Sequence, residues 1–122
     1  MSYLLLIIEP RGQRAARAPE EARRRYDEMA DYGRDLLDRG LLIASESLRP
    51  DEHAVRISTP AGAGAPKPQL RDGPFTEAKE MVGGFFLIDV ATFDEALAIA
   101  RRCPAVAWAT VELRACAPCH VQ

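Results

Sequence analysis

The sequence predicts an α+β domain of the ferredoxin-like, split β-α-β type that pairs with a second copy into a dimeric α+β barrel. Three observations lead there. Strand-like and helix-like stretches follow in the order strand, helix, strand, strand, turn, strand, helix, strand, which suits an antiparallel sheet with two helices on one face. Leu4 to Ile8 and Phe85 to Ile88 are apolar on both faces, so the side away from the helices also needs cover. At 122 residues the chain fits one core. A lone domain of this size buries only about two-thirds of its unfolded surface, which favours a second copy.

Tyr3 to Ile8 is a short apolar run closed by Glu9-Pro10-Arg11-Gly12 and reads as a central strand. After a polar loop, Pro19-Glu20-Glu21 predicts a helix start, with proline presetting φ and acids meeting the helix dipole. Tyr26, Met29, Gly33, Leu36 and Leu37 recur at helical spacing, Gly33 implies close packing on the sheet, and Gly40 marks a left-handed cap. Leu41 to Leu48 predicts a second strand, and His53 to Ser58 alternates as a third. Thr59 to Pro68 reads as a mobile surface loop. Gln69 to Arg71 adds a short strand before the Asp72-Gly73-Pro74 turn, and Thr76 caps a one-turn helix. Phe85 to Val90 is the clearest strand. Thr92-Phe93-Asp94-Glu95 spells a capping box, with Phe93, Leu97 and Ala100 as the inward stripe of the second helix. Pro104 ends that helix, Cys103 reads as a core residue there, and Trp108 to Arg114 alternates as the last strand. The domain spans 1–115, and 116–122 forms a flexible tail.

Composition excludes several function classes. A content of 48% hydrophobic and 28% charged residues belongs to a globular chain. The net charge of −2 gives no electrostatic case for nucleic acid. Arginines do cluster at 11, 14, 17 and 23–25, but Glu20, Glu21, Asp27 and Glu28 interleave with them, which reads as a solvated helix face. The apolar run at the start is far shorter than the ~20 residues of a membrane span. The arginines follow it rather than precede it, unlike a signal peptide, so the expected compartment is the cytoplasm.

The densest signature is Arg71-Asp72-Gly73-Pro74-Phe75-Thr76-Glu77-Ala78-Lys79-Glu80, leading through Gly83-Gly84 into Phe85-Phe86-Leu87-Ile88-Asp89-Val90. With Pro19-Glu20-Glu21, Glu46-Ser47-Leu48, Cys103-Pro104 and Glu112-Leu113-Arg114, it resembles the DGPF-domain proteins of the YCII-related family over nearly the whole chain. The resemblance implies a dimeric α+β barrel. It also implies an association with sigma factors of the extracytoplasmic-function class, beside which many members are encoded. Enzymes of that superfamily include isomerases, lyases and monooxygenases, an analogy of fold alone. The YCII branch proper carries a histidine at the start of its first helix, thought to work with an aspartate. This chain has only His53 and His120, neither of them there, so that dyad does not transfer. The ending at Leu113-Arg114-Ala115 and the loop at Pro60 to Pro68 also depart from the family pattern.

Two functions are expected: a small dimeric domain binding a ligand or partner, or a cofactor-independent isomerase or lyase. Asp72 is the first catalytic candidate, a general base if burial raises its pKa, or otherwise a turn-fixing carboxylate. Lys79 could hold an anionic ligand or pair with an acid such as Asp72, and Glu80 lies beside it. Glu46 sits among apolar neighbours and would need a partner such as Arg114 or Lys79. Phe75 is either a core plug or a ligand-stacking ring. No cofactor or metal is expected. Cys116-Ala117-Pro118-Cys119-His120 has the spacing of covalent haem attachment or of a redox dithiol. Yet no fold remains after it to enclose a haem, and no helix follows to activate a thiol.

Overall fold

Side-chain alternation in the first strand sets the architecture. The computed structural model describes residues 1–60 and 67–121. In β1 (Ser2–Pro10), Tyr3, Leu5, Ile7 and Glu9 are buried, while Leu4, Leu6 and Ile8 are half-buried on the opposite face. β1 pairs antiparallel with β5 (Glu80–Asp89) on one side and β6 (Thr110–Ala115) on the other. β2 (Leu42–Ser47) lies outside β5, completing a four-stranded sheet in the order β2-β5-β1-β6. β3 (Val55–Ser58) and β4 (Gln69–Asp72) form a separate two-stranded ribbon. Residues 61–66 of the loop expected from Thr59 to Pro68 lie outside the described residues.

Helix α2 (Pro19–Asp38) starts at the expected proline, and Gly40, at φ 72°, turns the chain into β2. A Cβ on Gly33 would come within 3.2 Å of the Phe86 ring, so this glycine permits the close helix–sheet approach that its position implied. Leu36 and Gly33 are buried, with Met29 and Tyr32 packed alongside. Tyr26 and Leu37, also expected in the inward stripe, are mostly exposed. A short helix, α1 (Gln13–Ala16), occupies part of the expected polar loop, because Gly12 at φ 86° reverses the chain and its carbonyl accepts from Ala16 N.

In α3 (Phe93–Arg101), Thr92 Oγ1 accepts from Glu95 N at 3.2 Å, and the Glu95 carboxylate accepts from Ala91 N. The inward stripe is Ala96, Ile99 and Ala100, rotated from the expected Phe93-Leu97-Ala100. Phe93 lies at the edge instead, with its ring 6.2 Å from Tyr3. Small residues let α3 sit close to the sheet, and a phenylalanine at the helix start overhangs the rim. One core of Tyr3, Leu5, Ile7, Leu36, Phe86, Ile88, Ile99 and Cys103 lies between this sheet face and the helices. Each fully buried aliphatic side chain contributes about 1.5–3 kcal/mol.

The one-turn helix expected after Asp72-Gly73-Pro74 is absent, and Thr76-Glu77 is a turn. Phe75 O accepts from Ala78 N within that turn and from Arg11 Nη2, while Arg11 Nε donates to Ala78 O and its backbone N to Lys79 O, so the segment is fastened to the exit of β1. Among the described residues, no helix is long and apolar enough to cross a membrane.

Candidate functional site

Two places gather charged side chains, and the first is a structural latch. Arg11, at the exit of β1, meets Asp51 in a bidentate pair, Nη1 to Oδ1 at 2.7 Å and Nη2 to Oδ2 at 2.5 Å. Asp51 Oδ2 also accepts from Phe75 N. These bonds, led by the one from Arg11, lower the Asp51 pKa to about 2. Gly73 N donates to Ala54 O, and any Cβ on Gly73 would overlap the Asp51 carbonyl oxygen. Phe75 is 2% exposed, with the guanidinium carbons of Arg56 and Arg71 at 3.8 and 5.1 Å from its ring centre. Both arginines pair with Glu77. The Asp-Gly-Pro-Phe signature is therefore a fastening between turn, ribbon and sheet.

The second place is a cleft of about 620 Å³ between α2 and the sheet. Its floor is Ile7 and Phe86, and Met29, Leu37 and Trp108 form its walls. Glu9, 4% exposed, continues the inward stripe of β1 into this cleft. Arg14 Nε lies 2.7 Å from Glu9 Oε1, yet no N–H points along that line, so charge rather than an aligned hydrogen bond holds the pair. The rest of the Arg14 guanidinium is engaged, donating to Leu48 O at 2.6 Å and Gly83 O at 3.0 Å. Room for the pair exists because residue 83 is glycine: a Cβ there would lie 2.5 Å from Glu9 Oε1. A Cβ on Gly84 would press on Glu46 O at 2.9 Å. The glycine pair of the signature thus opens the sheet for the cleft, at an irregularity in the β1–β5 register between Ile7 and Ile8.

Arg17 and Arg25 complete the cationic side. Arg25 Nε donates to Glu21 Oε1 at 2.7 Å, and its guanidinium carbon sits 5.0 Å from the Trp108 ring centre. Gln13 links the two, accepting from Arg17 Nη2 at 2.7 Å and donating to Trp108 O at 2.6 Å. Arg17 Nε is buried with no hydrogen-bond partner among the described residues. Burial, followed by the neighbouring charges of Arg25 and Arg14, pushes the Arg17 pKa down, against the pull of Glu9.

The residues singled out from sequence are not brought together. Asp72 is exposed at the end of β4, opposite Val55, with no side-chain hydrogen bond among the described residues. Lys79 is exposed in the bend before β5, and Glu80 begins that strand opposite Pro10. Neither is on a helix. Arg114 is exposed on edge strand β6 opposite Leu4, with two strands between it and Glu46 on β2. Glu46 borders the cleft, but its pairing with Phe85 puts its exposed side chain on the face of Leu6, away from Ile7 and Phe86. Phe75 is the buried plug of the latch. Cys116 and Cys119 are free and exposed, and Cys116 N donates to Ser2 O.

Sequence reasoning missed Glu9, Arg14, Arg17 and Arg25. Period-two alternation of Tyr3, Leu5 and Ile7 aims Glu9 inward, a signal masked by reading Glu9-Pro10 as the strand's close. The arginine cluster is a solvated face only in part. Arg23 and Arg24 are exposed and paired on α2, while Arg11, Arg14, Arg17 and Arg25 turn inward.

A four-stranded antiparallel sheet with helices and an arginine-lined cleft define a mixed α+β domain. The chain belongs to the YCII-related domain family, whose sequence model matches residues 1–119. It is also 34% identical over 101 residues to an uncharacterised protein of Rhizobium meliloti (strain 1021), covering 83% of this chain and 78% of that one.

Proposed function

We propose that this domain binds a small ligand in the cleft between α2 and the sheet. The observation that carries the reading is Glu9, buried at the wall of a cavity of about 620 Å³ in which Ile7, Met29, Phe86 and Trp108 face a set of arginines. Ligand sites combine apolar walls with a few placed polar groups, and a carboxylate is kept out of water only at some cost. The chain's single tryptophan, Trp108, lines the cavity and so reports its occupancy. Titrating compound panels against Trp108 emission tests the reading, with Ala30→Phe, at another position lining the cavity, as a variant that fills it without adding a second tryptophan. Ligands that shift emission in the native protein and not in A30F would support it. Ligands that stabilise both proteins equally would place binding elsewhere and end it.

The strand order β2-β5-β1-β6, with helices on the Tyr3 face, supports the ferredoxin-like assignment. Half-buried Leu4, Leu6, Phe85 and Leu87 on the opposite face support a homodimer joined there. A cytoplasmic location and a link to sigma factors rest on sequence character and family resemblance. A second reading, a cofactor-independent isomerase or lyase, is favoured by Glu9, the carboxylate inside the cleft, over Asp72 or Glu46. It predicts solvent-deuterium uptake beside the carbonyl of a bound keto acid, lost in Glu9→Gln.

A further inference from the structure

We propose that the cleft recognises an organic acid carrying one negative charge, received by Arg17, with its apolar remainder on Ile7, Met29, Phe86 and Trp108. This deepens the ligand-binding reading above and rests on it.

Among the described residues that line the cleft, Arg17 is the arginine without a carboxylate partner. Arg14 meets Glu9 at 2.7 Å, Arg25 meets Glu21 at 2.7 Å, a carboxylate it shares with the solvent-exposed Arg24 outside the cleft, and Arg34 meets Asp31 at 3.1 Å. Arg17 has only the neutral amide oxygen of Gln13, and its Nε is buried without a partner among the described residues. The Glu46 side chain, on the opposite sheet face, does not restore the balance. Burial removes part of the hydration of Arg17, and Arg25 and Arg14 repel its charge, which the attraction of Glu9 offsets only in part. A single anion at Arg17 would relieve both penalties, whereas a dianion would leave one charge unmatched in a partly dry cavity. The Gln13 bridge to Trp108 O fixes the guanidinium next to the apolar wall, so acid and body would be read together.

The test uses the full chain and three probes of one shape: cyclohexanecarboxylate, its neutral amide and cyclohexyl phosphate, titrated at pH 8 against Trp108 emission. The expected order is carboxylate first, with the amide weaker by about tenfold or more, since a hydrogen bond to a charged group is worth that ratio, and the phosphate weaker because its second charge meets no free arginine. In Arg17→Gln the preference for acid over amide should vanish while amide binding persists. The melting temperature of R17Q should equal or exceed that of the native protein, because the substitution removes a cation whose Nε is buried without a partner among the described residues. Equal binding of acid and amide, tighter binding of the phosphate, or an R17Q protein that keeps the preference or melts well below the native one would overturn the proposal. If only the amide binds, the charge assignment fails and the cleft stands. If no probe moves Trp108 emission, the ligand-binding reading falls with it.

Discussion

Asp51 carries the pH sensitivity of the latch. Its pKa falls from the ordinary 3.8 to about 2 in the folded chain, first because Arg11 donates to it. A depressed carboxylate stabilises the fold fully above the unfolded pKa, and that contribution is lost as pH drops from about 4 to about 2. Melts between pH 6 and pH 2 should therefore show a steep acid loss that Asp51→Asn flattens. An unchanged slope in D51N would remove Asp51 as the cause. The glycines differ in what they clear. Gly73→Ala would overlap a backbone carbonyl, which cannot move without breaking the latch, at a cost of about 3 kcal/mol or more. Gly83→Ala meets side chains that can shift, so its cost should be smaller, about 1–3 kcal/mol, while it disturbs the Glu9–Arg14 pair. Urea denaturation ranks the two, and a reversed ranking would contradict the roles given to them.

At the scale of elements, α2 joins the core to the cleft. Its buried residues Gly33 and Leu36 set the distance to the sheet, and Tyr26 and Leu37, largely exposed, turn toward the cavity. Periodicity picked out all of these as one stripe because hydrophobic spacing does not separate a filled groove from an open one. Gly33→Ala would gain about 1 kcal/mol of helix propensity. Against that, its Cβ would lie 3.2 Å from Phe86, whose ring is held edge-on by Tyr32 at 5.3 Å. Overpacking in such places costs about 1–3 kcal/mol. A net loss of stability is expected in denaturant midpoints, and a gain would mean that Phe86 yields easily. The turn after Gly73 makes the complementary point. Thr76 and Glu77 suit a helix start, but a single turn closed by Ala78 N on Phe75 O forms there, and Arg11, distant in sequence, fastens its carbonyls to the exit of β1.

For the whole molecule, the second sheet face and the ribbon bear on the proposed homodimer. Leu4, Leu6, Phe85 and Leu87 are half-buried, and Val55, Ile57 and Leu70 on one face of the β3–β4 ribbon are 50%, 66% and 70% exposed. Sedimentation of the native protein should give about twice the 13.4 kDa protomer mass, and Leu6→Glu, with circular dichroism retained, should return it to one protomer. A folded native protein that sediments as a single protomer at micromolar concentration would remove the homodimer from the proposed function.

The centres of the strands, the two long helices, their caps at Pro19, Gly40 and Thr92, and the close packing at Gly33 were legible in the sequence, because each depends on residues within a few positions of one another. The first half of β5, from Glu80 to Gly84, was not, since its glycines and charges read as turn and helix. The site was not. Whether Asp72, Glu46 or Glu9 is the carboxylate that matters depends on strand register and on which sheet face the helices cover. Arg11 and Arg14 look solvated in a linear reading, and only folding places Asp51, Phe75 and Gly83 against them. Local sequence encodes where the chain bends and which side of each element is apolar. The meeting of Arg11 with Asp51, 40 residues apart, and of Arg14 with the Gly83 carbonyl, 69 residues apart, is decided by the tertiary fold, since these bonds exist only once the intervening chain has brought the groups together.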